Sequence, residues 1–192
     1  TPMFAVVELP FHDRASEDMR QALEEVTEFL GEQAFVTSLP AAFSEAVVAR
    51  ETINFAEMAK CYYRYARDHR NELPTEFQDA MAKGESTLAR DYLAALDWKP
   101  ILNSALEEIF ERCDVIVCPA APGEAPLADT TGDAIFNGIW TLTGHPALTI
   151  PVLTGTHGLP MGLQLIGRHG FEGRLLRTAR WLVEQMAAVT EE

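Results

Sequence analysis

The sequence predicts an α/β fold in which helices cover a buried sheet. Three runs, 114–118 (DVIVC), 147–152 (ALTIPV) and 163–166 (LQLI), are almost continuously apolar, which is typical of strands buried on both faces. Long amphipathic segments can supply the covering layers. Glycine use also changes, because residues 1–122 contain two glycines and residues 123–173 contain ten. The first part is therefore predicted to be mainly helical, and the second to be strands joined by tightly shaped loops.

Two strands and one capped helix are predicted for the first forty residues. Residues 4–9 and 34–39 are short apolar runs. Between them, Ser16 can cap a helix because its hydroxyl can accept a backbone hydrogen bond. Apolar residues then recur at three- and four-residue spacing until Gly31 ends the helix.

Longer helices are predicted where strong helix formers predominate. One spans 41–68, a helical turn or two covers 77–81, and another spans 86–112, with Pro100 kinking or dividing it. A last helix over 174–189 has an apolar face and closes the chain.

A stretch free of Lys and Arg contains the candidate pocket. After the strand at 114–118, the chain turns through three prolines and one glycine (CPAAPGEAP). Ligands of α/β sheets gather beyond the carboxyl ends of strands, so this turn is a candidate binding region. Thr131 or Asp133 can then cap a short helix with Phe136 and Trp140 on one face.

The end of this short helix adds the turn Gly144-His145-Pro146, which brings the backbone close before the next strand. Apolar walls with a few polar groups suit a small-molecule pocket. The spacing of Phe136 and Trp140 also fits ordinary core residues, and on spacing alone the core is favoured.

Charge and cysteine content exclude several classes of protein. The chain has 15 basic and 29 acidic residues, a net charge of −14, which disfavours binding to nucleic acid or to an anionic membrane surface. Three cysteines cannot form a disulfide framework, and free thiols indicate a reducing, cytoplasmic location. No run approaches the roughly 18 apolar residues that would span a bilayer.

Motifs for catalysis or metal binding are absent from the sequence. There is no GxSxG, no HExxH and no CxxC, so neither a nucleophile elbow nor a metal site is expected. The three lysines lie in charge-rich helical surroundings, and none is paired with a serine by a recognisable motif. The glycine-rich stretch 158–167 leads into a strand, whereas a phosphate-binding loop leads into a helix. No catalytic residue is therefore assigned.

Four blocks of the second part resemble, in order and spacing, the C-terminal part of amidase-signature enzymes. The blocks are DVIVCPAAPGEAP, TGDAIFNGIWTLTGHPALTIPV, GLPMGLQLIGR and RLLRTARWLVEQ. Upstream, LPAAFSEAVVARETINFAEMAK resembles the same family more weakly. The likeness covers nearly the whole chain, with strong motifs over about its last 80 residues.

The resemblance implies part of a mixed, twisted central sheet covered by helices. It also implies hydrolysis of carboxamides by a Ser–cis-Ser–Lys triad, in which lysine activates serine and backbone N–H groups stabilise the oxyanion. The segment that carries the triad has no counterpart in these 192 residues. Residues 1–192 are thus expected to be the C-terminal portion of one amidase domain, inactive alone, with 1–112 mainly helical and 113–192 holding late strands, pocket loops and the closing helix.

The partners expected from the resemblance are a small-molecule amide and the N-terminal half of the same fold, with no cofactor; homo-oligomer formation stays open. The substrate-binding candidates carried over by position are pocket-lining residues on or beside the short helix, namely Asp133, Phe136, Asn137, Trp140, Gly144 and His145.

Two other functions remain open. The related A subunits of glutamyl-tRNA amidotransferases usually have an Asn-Leu-Ala-Gly type of sequence where this chain has Thr141-Leu142-Thr143-Gly144. This difference, with Trp140 suggesting a less polar substrate, favours a general amidase over an amidotransferase. The chain could also be a non-catalytic binding or structural domain.

Overall fold

The computed structural model describes residues 1–190, with side chains described up to residue 188. Its centre is a mixed five-stranded sheet in the order β2-β1-β3-β5-β4, where β1, β2 and β3 run parallel and β5 is antiparallel to both neighbours. The strands are β1 (Phe4–Glu8), β2 (Ala34–Ser38), β3 (Val115–Pro119), β4 (Ala147–Thr154) and β5 (Pro160–Gly167). The predicted α/β class and mixed sheet are confirmed.

Seven α-helices surround this sheet within the described residues. They are α1 (Glu17–Leu30), α2 (Ala46–Cys61), α3 (Tyr63–His69), α4 (Thr75–Ser86), α5 (Ala89–Phe110), α6 (Ile135–Thr143) and α7 (Glu172–Thr190). Helix α1 contacts β2 and β3, and α7 contacts β4 and β5, while α2 and α5 both pack on α6. The sheet is therefore covered by helices that are distant in sequence, and α6 packs against both α2 and α5.

The buried strands and the first helix form as their sequences predict. All five residues of β3 are buried, because it is the central strand and helices cover both its faces. Ser16 caps α1 by accepting a hydrogen bond from the Met19 N–H at 3.2 Å. Gly31 ends α1 with φ of +51°, a conformation that favours glycine.

The predicted strand at 147–152 forms, but its burial on both faces was wrong. Strand β4 pairs only with β5 at the edge of the sheet, and exposed residues such as Thr149 and Pro151 interrupt its buried positions. An edge strand has one unpaired side and tolerates proline, which a central strand does not.

The helix bounds predicted between residues 41 and 112 also need correction. The helix predicted for 41–68 begins with a 3₁₀ turn and is broken at Tyr62, whose ring packs edge-on against Phe77 of α4 at 5.2 Å. Helix α4 is longer than the predicted turn or two, and Ser86 ends it rather than starting α5. Pro100 lies inside α5 without dividing it, because buried residues such as Leu102 hold its second half in the core.

Two carboxylates fix the β4–β5 hairpin. The Glu124 carboxylate accepts hydrogen bonds from the N–H groups of His157 at 3.0 Å and Leu159 at 2.9 Å. The Asp18 carboxylate accepts one from the Thr156 N–H at 2.7 Å. Burial alone would raise the pKa of Glu124, but the bonds from Leu159 and His157 outweigh it and lower that pKa below its ordinary value. The hairpin tip is thus tied to α1 and to the loop after β3.

Replacing Glu124 should loosen this hairpin first. In Glu124→Ala, the N–H groups of His157 and Leu159 lose their acceptor, so we expect their hydrogen exchange to accelerate and the melting temperature to fall. Exchange is measured by mass spectrometry, with the exposed Glu111→Ala as a matched control. Unchanged exchange at 155–159 in Glu124→Ala would show that the carboxylate does not hold the tip.

Candidate functional site

An open cleft lies between α1 and the carboxyl-terminal parts of the parallel strands β1 and β3. Its volume is about 490 Å³, and Leu9 after β1, Pro119 of β3 and Phe136 of α6 line it. His12 and Arg20 are polar residues on its wall. Ligands of α/β sheets bind near the carboxyl ends of strands, and the size suits a small molecule. Only Pro119 and Phe136 of this lining belong to the predicted pocket region, and most of the other lining residues come from β1 and α1, which the sequence did not indicate.

Helix α6 is fixed at both ends by residues that the sequence singled out. Asp133 Oδ1 accepts a hydrogen bond from the Ile135 N–H at 3.0 Å, and Oδ2 forms an ion pair with Arg14. At the other end Gly144 adopts φ of +78° and closes the helix. The N-cap position of α6 is Ala134, so neither Thr131 nor Asp133 occupies it; Asp133 lies one residue earlier and accepts the Ile135 N–H.

A buried chain of polar groups joins α6 to the sheet. Asn137 Nδ2 donates to the Ala120 carbonyl oxygen at 3.0 Å, and its Oδ1 accepts from Gln164 Nε2 at 2.7 Å. Gln164 Oε1 in turn accepts from the Cys118 thiol at 3.4 Å. Each of these hydrogen bonds joins two different elements. Together they hold α6, β5 and the loop after β3 in one arrangement. Gln164 was missed by sequence reasoning, although a single polar residue inside an apolar run was its signal.

The two aromatic residues of α6 are buried. Phe136 has no exposed surface and packs edge-on against Phe11 at 5.6 Å, below the cleft that it lines. Trp140 is 2% exposed and lies in the core. The structure therefore brings Phe136 to the floor of the cleft, while the Trp140 ring is covered on all sides by the described residues.

The opposite side of α6 faces a second cavity, a groove of about 340 Å³ between α2, α5 and α6. Arg50, Asn54 and Glu57 of α2 line it together with Lys99 of α5. Asn137, Gly138 and Thr141 form its α6 wall. At 100° per residue these positions lie opposite Phe136, so one helix separates the cleft from the groove.

His145 is buried beside a second histidine. Its ring stacks on Phe110 at 5.4 Å and lies 4.1 Å from the His169 ring, centroid to centroid. The Thr143 hydroxyl donates to the Ile139 carbonyl oxygen, so it accepts from His145 Nδ1 at 3.0 Å, and His145 Nε2 is a buried lone pair with no hydrogen-bond donor. Burial lowers the pKa of His145 to about 4, and His169 adds to the effect.

The described residues offer no assembled catalytic or metal centre. Within residues 1–190, no three His, Cys, Asp or Glu side chains are grouped to hold a metal ion. The hydroxyls of Ser38, Ser44 and Ser86 donate to Glu8 or to nearby carbonyl oxygens rather than meeting a lysine. Burial raises the pKa of Cys113 and Cys118 to about 12, so these thiols are poor nucleophiles.

The three cysteines are all free, with Cys61 exposed. Across the described helices, none is long and apolar enough to cross a bilayer.

Comparison with known families gives one match over most of the chain. A family model described as Amidase matches residues 5–176. Among curated proteins, the A subunit of the glutamyl-tRNA(Gln) amidotransferase from Caldanaerobacter subterraneus is 39% identical over 97 residues, which are 46% of this chain and 20% of that protein. The protein of the same name from Psychrobacter cryohalolentis is 35% identical over 128 residues, 60% of this chain and 26% of that protein.

Solved structures share the fold at low sequence identity. A structure described as an amidase superposes with a TM-score of 0.85 and 20% identity, covering 96% of this chain and 46% of that one. A 6-aminohexanoate cyclic dimer hydrolase with bound substrate gives 0.76 and 15%, covering 97% and 46%. The chain therefore spans about half the length of these two structures.

The buried His145 should make stability depend on pH. Below about pH 6.5 the unfolded histidine takes up a proton, while the folded one resists until about pH 4, so stability is lost as the pH falls between these values. The loss is at most about 3 kcal/mol. Urea unfolding at several pH values should show a shallower acid slope for His145→Gln than for wild type or the control His12→Gln. Equal slopes would mean that His145 is not protonated on unfolding.

Proposed function

Because this chain belongs to the Amidase family, we propose that it is the C-terminal portion of an amidase that hydrolyses carboxamides to a carboxylate and ammonia or an amine. The observation that carries the proposal is the open cleft against the carboxyl-terminal parts of parallel strands in a sheet of this family's fold. Residues 1–192 would form part of a single amidase domain, and the Ser–cis-Ser–Lys triad would lie upstream of Thr1.

In this proposal the chemistry and the substrate wall come from different parts of one fold. Lysine takes the proton of the bridging serine, which takes the proton of the second serine as that serine attacks the amide carbon. The same relay returns a proton to the leaving amine, and water then hydrolyses the acyl-enzyme. Backbone N–H groups stabilise the oxyanion of each tetrahedral intermediate. None of these groups is assigned to this chain, and no cofactor is needed for the steps.

The contribution of this chain would be the substrate wall built around α6. Phe136 is buried beneath the cleft, and Asp133 accepts a hydrogen bond from the first residue of the helix. Asn137 holds the loop after β3 through the Ala120 carbonyl. Trp140, Gly144 and His145 complete the proposed substrate-binding set from below, through packing and the turn that ends α6.

The A subunit of an amidotransferase is the second candidate. The curated relatives described above carry that name and are 35–39% identical over the matched segments. The Thr141-Leu142-Thr143-Gly144 sequence favours the hydrolase instead. Release of free ammonia from a simple amide, without a tRNA-bound acceptor, would separate the two.

The remaining alternative is a non-catalytic binding or structural domain, also of cytoplasmic location. The reading frame upstream of Thr1 distinguishes such a domain from part of an amidase. A frame that continues into a Gly/Ser-rich segment preceded by a lysine supports the amidase proposal. A start codon at this point contradicts it.

We expect the chain alone to have no amidase activity, because in this proposal the groups that break the bond lie outside it. The assay follows ammonia release from aliphatic and aryl amides, with a parallel preparation from cells lacking the gene as the control. Turnover that exceeds the control, and follows the protein through a second chromatographic step, contradicts the proposed division of roles.

The isolated chain should also self-associate or bind the N-terminal half of the fold. Strand β2 is an edge strand, and Val36 at its centre is 56% exposed. Unpaired strand edges and exposed apolar surface favour association, and the net charge of −14 is screened beyond about 8 Å at physiological salt. Size-exclusion chromatography with light scattering measures this, with Val36→Lys as a variant of reduced association. A wild-type monomer that melts cooperatively and binds no hydrophobic dye would favour the stand-alone domain.

A further inference from the structure

We propose that the groove between α2, α5 and α6 binds a small organic anion, a carboxylate on a short apolar carbon chain. Arg50 and Lys99 both line this cavity of about 340 Å³, which is within the size range of small-molecule sites. The groove lies opposite Phe136 on α6, so its anion binding does not depend on the amidase proposal.

The local charge of the groove contrasts with that of the whole chain. Acidic residues outnumber basic ones by 29 to 15 overall, whereas the groove lining holds two cations and one carboxylate, Glu57. Glu57 already accepts a hydrogen bond from the Tyr92 hydroxyl at 3.0 Å. The ion-pair partner of Arg50 is the adjacent Glu51, at a long 3.4 Å. With Glu51 counted, cations and carboxylates at the groove balance, so an anion is attracted by direct pairing with Arg50 and Lys99 rather than by a net positive field.

Arg50 packs against α6 at Gly138, where the absence of a side chain leaves room for it. A Cβ on Gly138 would lie 2.7 Å from both Cδ and Nε of Arg50, so the side chain occupies the space that any other residue at 138 would fill. Its side chain is only 28% exposed. A planar guanidinium can pair with both oxygens of a carboxylate.

Lys99 supplies the second cation from α5. Its Nζ lies 3.7 Å from the position that a Cβ on Gly144 would take, beside the carboxyl end of α6. In the described part of the chain Lys99 has no carboxylate within ion-pair distance. Lys99 could instead serve only to stabilise the dipole of α6 at its carboxyl end. That role would not explain why Arg50 also lines the groove.

The rest of the lining selects the ligand class. Ile53, Leu96 and Leu142 are apolar and suit a carbon chain, and Asn54 offers an amide that hydrogen-bonds only weakly, to the Met58 sulfur at 3.6 Å. Inorganic phosphate has no apolar part to fill these contacts. A carboxylate with a few methylene groups satisfies both halves of the groove.

Saturation-transfer NMR tests the proposal. It observes the protons of the ligand, so it works whether the protein is a monomer or self-associated. The probes are hexanoate and its neutral counterpart hexanamide, with inorganic phosphate as a competitor. We expect hexanoate to bind at least about tenfold more tightly than hexanamide, and phosphate to displace it poorly. Equal binding of the two probes, or displacement by phosphate at equal concentration, would overturn the proposed ligand class.

Three variants locate the site. Arg50→Gln and Lys99→Gln each remove one charge, and Gly138→Ala keeps every charge but displaces the Arg50 side chain while favouring helix. Each should weaken hexanoate binding several-fold, whereas Arg90→Gln, at an exposed position of α5 outside the groove, should not. Circular dichroism confirms the fold of each variant. Full hexanoate affinity in both Arg50→Gln and Gly138→Ala would sink the proposal.

Discussion

The double pairing of β3 is the constraint on which the rest of the fold depends. This strand pairs parallel with β1 on one side and antiparallel with β5 on the other, so strand direction reverses within the sheet at this point. Its residues are completely buried, which requires helices over both faces. The carboxyl ends of β1 and β3 then fall at one edge, and the chain leaving β3 must turn there. The cleft exists because the sheet is ordered in this way.

The polar chain from Cys118 through Gln164 to Asn137 transmits that order to α6. Gln164 is buried among apolar residues and has few alternative partners, so leaving its amide unpaired would cost free energy. Movement of β5 against β3 would therefore strain the hydrogen bonds that Asn137 makes with Gln164 and with the Ala120 carbonyl oxygen. Helix α6 separates the cleft from the groove, so the same contacts set the shape of both cavities.

The sequence predicted those features that depend on local pattern. Strands β1, β2, β3 and β5, the Ser16 cap and the Gly31 stop were predictable because the signal and the structure lie within a few residues of each other. The edge position of β4 was not, since an apolar run does not show how many neighbours it will pair with. The break at Tyr62 depends on packing against Phe77, and the groove joins residues as distant as 50 and 138. Features made by tertiary contact alone leave no local pattern to detect.

The pairing of β1 with β3 also has a consequence for synthesis. Phe4 of β1 is in register with Val115 of β3, and the Asp18 carboxylate reaches Thr156 across 138 positions. A ribosome adds about 5–20 residues per second, so β1 waits on the order of ten seconds before its central neighbour leaves the exit tunnel. During that time β1 can pair with β2 on one side only, and its other edge is open. The nascent chain therefore leaves the apolar edge of β1 open during this time, and such an edge is a template for pairing with a strand of another chain.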